Sequence, residues 1–145
     1  MPGAPTKTLI PIDGSPFTQR ILDYVATHRD LLGAAPEVTL LTVVPTLPSR
    51  AAQFLAPELV SDYYVELGEK VLAPAIATLG AAGLGVTPLR RTGHAAHVIA
   101  EVASAGGFEL LIMGSHGHSA LAGLVLGSVV SGTLARCKTP VLVVR

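Results

Sequence analysis

Apolar residues fall into two kinds of pattern that alternate along this chain. Five short runs, most of them continuous in Val, Ile and Leu, stand out: Thr8–Ile12, Val38–Val44, Val86–Arg91, Leu110–Met113 and Val141–Val144. Runs of that length and content predict strands covered on both faces, as in a parallel sheet. Between them, apolar residues recur at helical spacing. Phe17, Ile21, Leu22 and Val25 form one stripe, and Val60, Tyr63, Tyr64, Leu67 and Val71 a second. Val98, Ile99 and Val102 form a third, and Val130, Leu134 and Cys137 a fourth. Strand and helix alternate through to a fifth strand. The prediction is therefore an α/β fold: a single open five-stranded parallel sheet with helices on both faces, one domain over residues 1–145.

Punctuation refines this reading. Pro45 and Pro48 open a long connection after the second strand, and Pro57 suits the first position of the next helix. Pro74 predicts a kink or interruption in that helix, and Gly80 and Gly83 predict its end. Right-handed crossovers, with one reversal of direction, give strand order 3-2-1-4-5. The reversal then lies between the first and fourth strands, where diverging loops leave a crevice at the carboxyl ends. The first of these loops carries Asp13-Gly14-Ser15 and the other Gly114-Ser115-His116-Gly117, so both would face one cleft.

Composition removes several classes of function. Ten basic and ten acidic side chains cancel, which leaves no basic stripe for nucleic-acid binding by counterion release. Cys137 is the lone cysteine, so no internal disulfide forms; a reducing compartment and a small buried hydrophobe are expected. Met1 to Lys7 lacks the layout of a signal peptide. The most apolar stretch, Leu72 to Val86, is interrupted by Pro74, Gly80, Gly83 and Gly85 and is too short to span a bilayer. A cytoplasmic protein without membrane contact is the expectation.

Chemistry concentrates between Gly114 and Ser128. Gly114 and Gly117 follow the fourth strand, and after nine residues Gly127 and Ser128 open the last helical segment. A strand that breaks into a glycine-bearing loop and then a helix is suited to anions. Backbone N–H groups approach a phosphate closely where no Cβ intervenes, and the helix N-terminus adds partial positive charge. The chain has no G-x-x-x-x-G-K-S/T, and no G-x-G-x-x-G follows its first strand. A phosphoacceptor receiver fails as well, because Asp13 stands alone and Lys138 precedes the final strand.

The remaining pattern, G-x-x-G, nine residues, then G-S, closely resembles the universal stress protein family. The resemblance extends to Ile10–Ser15 (I-P-I-D-G-S), Leu40–Val43 (L-L-T-V), Leu110–Gly117 (L-L-I-M-G-S-H-G), Gly127–Val129 (G-S-V) and Thr139–Val144 (T-P-V-L-V-V). It implies a Rossmann-like domain, often a homodimer, whose ATP-binding branch keeps the glycine motif and takes ATP with a divalent metal, Mg or Mn. By position, backbone groups near Ile12 and Val43 would hold adenine, and Asp13 would approach the ribose. Met113 and Gly114 would line the sugar and phosphate region. Gly117, His118, Gly127, Ser128 and the Val129 N–H would surround the phosphates.

Each of these residues also has a plainer role. Asp13 suits an Asx turn or a helix cap as well as ribose hydroxyls, and Ser128 suits a cap. Gly114 and Gly117 suit turns, and Gly127 suits close helix packing. Two positions depart from the family pattern. His118 stands where Lys or Arg is common, replacing a permanent cation with a side chain that is generally charged only in mildly acidic solution. Glu109 stands where aspartate is usual, without structural consequence.

His94-x-x-His97 and His116-x-His118 raise a transition-metal site, but no carboxylate or cysteine cluster completes either pair. A metal held through nucleotide phosphates fits better. Ser115 and His116 are adjacent without an evident orienting acid, so no catalytic triad is assigned. Val141, Leu142, Val143 and Val144 form an apolar edge strand suited to pairing with a second copy. Three functions follow: a nucleotide-responsive stress switch that binds ATP, a stress-induced dimer that works by protein contact alone, or an enzyme limited to slow hydrolysis of bound ATP.

Overall fold

The computed structural model of the chain describes residues 6–118 and 125–145. Part of the amino-terminal reading (residues 1–5) and part of the glycine-motif loop (residues 119–124) lie outside the described residues. The strands are β1 (Lys7–Pro11), β2 (Glu37–Val44), β3 (Val86–Thr92), β4 (Leu110–Gly114) and β5 (Val141–Val144). They form one sheet in the order β3-β2-β1-β4-β5, and every neighbouring pair is parallel. This is the open α/β architecture that the strand spacing predicts.

The helices are α1 (Pro16–Thr27), α2 (Ser49–Ala52), α3 (Pro57–Ala81), α4 (Ala95–Ala105) and α5 (Ser128–Arg136). Alternation along the strands divides the core in two. Ile10, Leu40 and Ile112 pack against α1 and α3 through Ile21, Leu22, Leu72 and Leu79. Leu9, Leu41 and Leu111 point the other way, to Ile99 and Ala103 of α4 and Val130 of α5. Leu9, Ile10, Leu40, Leu41 and Leu111 are completely buried, which accounts for the continuous apolar runs.

Several details correct the sequence reading. Helix α3 runs unbroken through Pro74. Pro74 and Lys70 both lie on the solvent side, so the carbonyl that loses its N–H partner is open to water, and Thr78 Oγ1 donates to the Pro74 carbonyl at 3.0 Å. The buried stripe of α3 is Gly68, Leu72, Ala75 and Leu79; none of Val60, Tyr63, Tyr64, Leu67 and Val71 is buried. In α5 only Val130 of the expected stripe is buried. Leu134 is exposed, and Cys137 lies just past the helix. β3 is an edge strand and largely exposed, which is where Pro88 is tolerated. The 3₁₀ turn Arg29–Leu32 and the four-residue α2 carry no periodicity long enough to read.

Among the described residues, no helix is long and apolar enough to cross a membrane.

Candidate functional site

Strand β1 is shorter than its neighbour β2, and that difference opens the site. Their ladder ends at Pro11↔Leu41, and Ile12 N donates to the Leu41 carbonyl at 2.8 Å just beyond it. Val43, two residues further along β2, directs its N–H and C=O to the same side, past the end of β1. On the other side, β4 diverges into its own loop. The gap between the two loops is a cleft of about 430 Å³ at the carboxyl end of the sheet.

The loop after β1 is fastened by its own side chains. Asp13 Oδ1 accepts from Ser15 N at 2.9 Å and from Thr18 Oγ1 at 3.3 Å, and Thr18 Oγ1 in turn accepts from Gly14 N at 3.0 Å. Gly14 sits at φ +77°, a conformation that strains other residues. Ser15, not Asp13, occupies the N-cap position of α1, and Pro16 starts the helix. With Oδ1 committed to this turn, Oδ2 is turned toward Gly117 of the opposite loop.

The loop after β4 leaves the sheet and returns to nearly the same point. Ser115 N donates to the Val144 carbonyl at 2.8 Å, and Gly127 N donates to the Ser115 carbonyl at 2.6 Å. Gly114, Gly117 and Gly127 all have negative or extended φ, so none is there to turn the chain. Space selects them instead. A Cβ on Gly114 would lie 3.1 Å from Phe17 Cβ, and one on Gly127 would lie 3.2 Å from His116 Cα and from the Ser115 carbonyl. A Cβ on Gly117 would collide with the Asp13 carboxylate. Gly127 is also the N-cap of α5, which makes Ser128 the first helical residue and not a cap. The first N–H groups of α5 have no intrahelical partner by position, and Gly127, Ser128 and Val129 all line the cleft.

All ten candidate binding residues line this one cleft: Ile12, Asp13, Val43, Met113, Gly114, Gly117, His118, Gly127, Ser128 and Val129. The sequence reading did not include Phe17, Thr18, Leu67, Val71, Ala95 and Ile99, which line it too. Leu67 and Val71 were legible as an apolar helical stripe. These two residues of the stripe line the cleft wall, which leaves them only partly buried.

His118 Nε2 lies 2.7 Å from the Asp13 carbonyl oxygen and ties the two loops together. A carbonyl only accepts, so Nε2 carries the hydrogen. His116 Nδ1 lies 3.0 Å from Ser115 Oγ, and its ring meets Phe17 at 5.4 Å between centroids. Ser115 is buried, and its hydroxyl is engaged with the neighbouring His116 ring. Among the described residues, no group of three or more His, Cys, Asp or Glu side chains is placed to hold a metal ion. His94 and His97 tilt against each other at 4.4 Å between centroids. Partial desolvation, then the Arg136 charge and His94, hold the His97 imidazole below its usual range, the opposite of a carboxylate-supported pair.

Fold and cleft together define a Rossmann-like α/β domain with a glycine-floored crevice at its topological switch point. The family model of the universal stress proteins matches residues 5–145, and the chain belongs to that family. It is 31% identical over 140 residues to universal stress protein Slr1230 of Synechocystis, covering 97% of this chain but 42% of that protein. It is 28% identical to universal stress protein YxiE of Bacillus subtilis, covering 96% of this chain and 98% of that one. The chain thus spans less than half the length of one relative and nearly all of the other.

Among solved structures, MJ0577 superposes with a TM-score of 0.81 at 29% identity, over 96% of this chain and 94% of that one. A universal stress protein in complex with cAMP (TM-score 0.67, 22% identity, 99% of each chain) has the same fold. So does the Arabidopsis thaliana family protein At3g01520 with AMP bound (TM-score 0.67, 17% identity, 97% and 91%).

Proposed function

We infer that the cleft binds an adenine nucleotide, with ATP and a divalent metal (Mg or Mn) as the full ligand, and that the chain serves as a nucleotide-responsive stress switch. The observation that carries this reading is that Gly114, Gly117, Gly127 and the first residues of α5, Ser128 and Val129, line one cleft with Asp13 and Val43 at the carboxyl end of the sheet. Ser128 and Val129 would offer backbone N–H groups to the phosphates, and the metal would be held through phosphate oxygens and water. Asp13 Oδ2 and Gly114 flank the position of the sugar.

Val43 supplies the base specificity. A backbone N–H beside a C=O matches the acceptor N1 and donor N6 of adenine. Guanine reverses both groups at that edge, so it presents a donor to the N–H and an acceptor to the C=O. Ile12, Val71 and Met113 provide apolar walls for the ring. Fold neighbours carrying cAMP and AMP are consistent with adenine as the common element.

The second reading is a dimer that works in the cytoplasm through protein contact. It draws on the free edge of β5 and on apolar side chains left exposed at Val125, Val129 and Leu134. The two readings are compatible, because a dimer through β5 leaves the cleft mouth to each copy.

Thermal unfolding with and without millimolar ATP and Mg²⁺, using GTP as the control, tests the nucleotide reading. A ligand at 100 times its Kd adds about 2.7 kcal/mol, a clear rise in midpoint. A rise with ATP, AMP or cAMP but not GTP is the expected result. No rise with any adenine nucleotide leaves the contact reading in its place.

A further inference from the structure

Helix α3 is longer than the sheet it covers. Its first buried residue is Gly68, so the eleven residues from Pro57 to Leu67 contribute nothing to the core, about 16 Å of helix. An exposed segment of this length is marginal as a helix by itself. One side is held by the cleft wall and by Tyr64, whose hydroxyl accepts from Leu47 N at 2.9 Å. The opposite side has no cover, yet it is not polar.

Nine large apolar side chains are exposed among the described residues, and five of them lie between residues 54 and 65. Leu55, Leu59 and Tyr63 follow one another at intervals of four, with exposures of 43, 58 and 40%, and Phe54 beside them is 82% exposed. On a helix, that spacing places Leu59 and Tyr63 on one face with Leu55 leading into it. Next to this face runs a second stripe, Glu58, Asp62 and Glu66, and Glu69 continues it. Lys70 is the only base in residues 57–70, with Arg50 of α2 at the other end of the arm, and no ion pair among the described residues neutralises the four acids. Four of the ten acids of a chain of zero net charge thus flank the segment that holds five of the nine large exposed apolar side chains among the described residues.

We propose that the arm formed by α2 and the first half of α3 is a docking surface for a basic amphipathic helix of a partner protein. Apolar anchors of that helix would cover Phe54, Leu59 and Tyr63, and its Lys or Arg residues would meet Glu58, Asp62 and Glu66. Charge rules out the other occupants. A second copy on this face would set acidic stripe against acidic stripe, and an anionic membrane surface would be repelled. The surface is separate from the β5 edge, and the inference does not depend on nucleotide in the cleft.

The test is fluorescence anisotropy of a labelled synthetic Leu/Lys peptide, about 18 residues long so that it holds an amphipathic helix, titrated with the nucleotide-free full chain. Saturable binding is expected, weaker in high salt and weakened about tenfold or more in a Leu59→Ser, Tyr63→Ser double variant. A Glu58→Lys, Asp62→Lys variant should lose it too; all four positions are exposed, so circular dichroism should show the fold intact. Failure to bind, or equal binding of a Leu/Glu peptide, overturns the proposal. Self-association in sedimentation that Leu59→Ser abolishes overturns it as well, by assigning the face to a second copy.

Discussion

The His118 ring donates across the cleft to the Asp13 backbone carbonyl, 2.7 Å away, joining two loops that lie 105 residues apart in the chain. The same Asp13 turns its Oδ2 toward Gly117, the residue before His118. The two loops are therefore locked at a fixed separation by one hydrogen bond and one glycine contact. His118→Ala should cost at most about 1 kcal/mol in stability, as expected for a single partly exposed bond, but should loosen the cleft and weaken ATP binding. His118→Arg keeps a donor and adds a permanent cation. Calorimetric titration should then show ATP binding tightened about three- to tenfold, and an unchanged Kd would remove His118 from the phosphate environment.

Two glycine substitutions should have opposite signs. Gly117→Ala places a methyl against a carboxylate pinned by Ser15 N and Thr18 Oγ1, so the loops must part. A cost of about 1–3 kcal/mol is expected, together with loss of the ATP-dependent rise in midpoint. Gly80→Ala lies inside α3 with nothing within 4 Å of the new Cβ. There the gain in helix propensity should stabilise by about 0.5–1 kcal/mol without touching ligand response. Differential scanning calorimetry of both variants reads the contrast directly.

His97 predicts a pH dependence. Desolvation, then Arg136 and His94, lower its pKa in the folded state from 6.5, so below that value the unfolded chain holds the proton more readily. Stability contributed here is full above the unfolded value and declines as pH falls through it toward the folded one. Melting curves of wild type and His97→Gln should therefore converge or cross as pH drops from neutral into the mildly acidic range. Arg136→Gln should reduce the effect. A difference that grows in favour of wild type on acidification contradicts the sign.

The central strands β1 and β4 were legible because they are buried on both faces: Leu9, Ile10, Leu111 and Ile112 leave no polar position to blur the run. The cleft residues were legible because Gly114, Gly117 and Gly127 are constrained by space at fixed intervals. Other features were not. Leu67 and Val71 look like core in a helical pattern, and only the shortness of β1 shows that their side of the sheet is open. The His118 to Asp13 bond depends on how two loops approach, which local sequence does not encode. Pro74 does not interrupt the helix, because it faces the solvent side, and which side it faces is set by the packing of α3 on the sheet. The apolar stripe Leu59 and Tyr63 was hidden for the same reason: periodicity shows a face, but not whether anything covers it.

The free edge of β5 carries the last prediction. β4 pairs with β5 through the Pro140 and Val144 carbonyls, which accept from Leu111 N and Ser115 N. Residues of that parity face β4, so Val141 and Val143 present their N–H and C=O groups to the outside. An unpaired apolar edge of this kind suits antiparallel addition of a second β5 across a two-fold axis. Val143→Pro deletes an outward N–H while leaving the ladder to β4 intact, because the bonds that hold β5 to the sheet come from its other side. Analytical ultracentrifugation should show wild type as a dimer and Val143→Pro as a folded monomer. If Val143→Pro remains a dimer, the two copies meet elsewhere; if wild type is a monomer at micromolar concentration, the edge is not an interface.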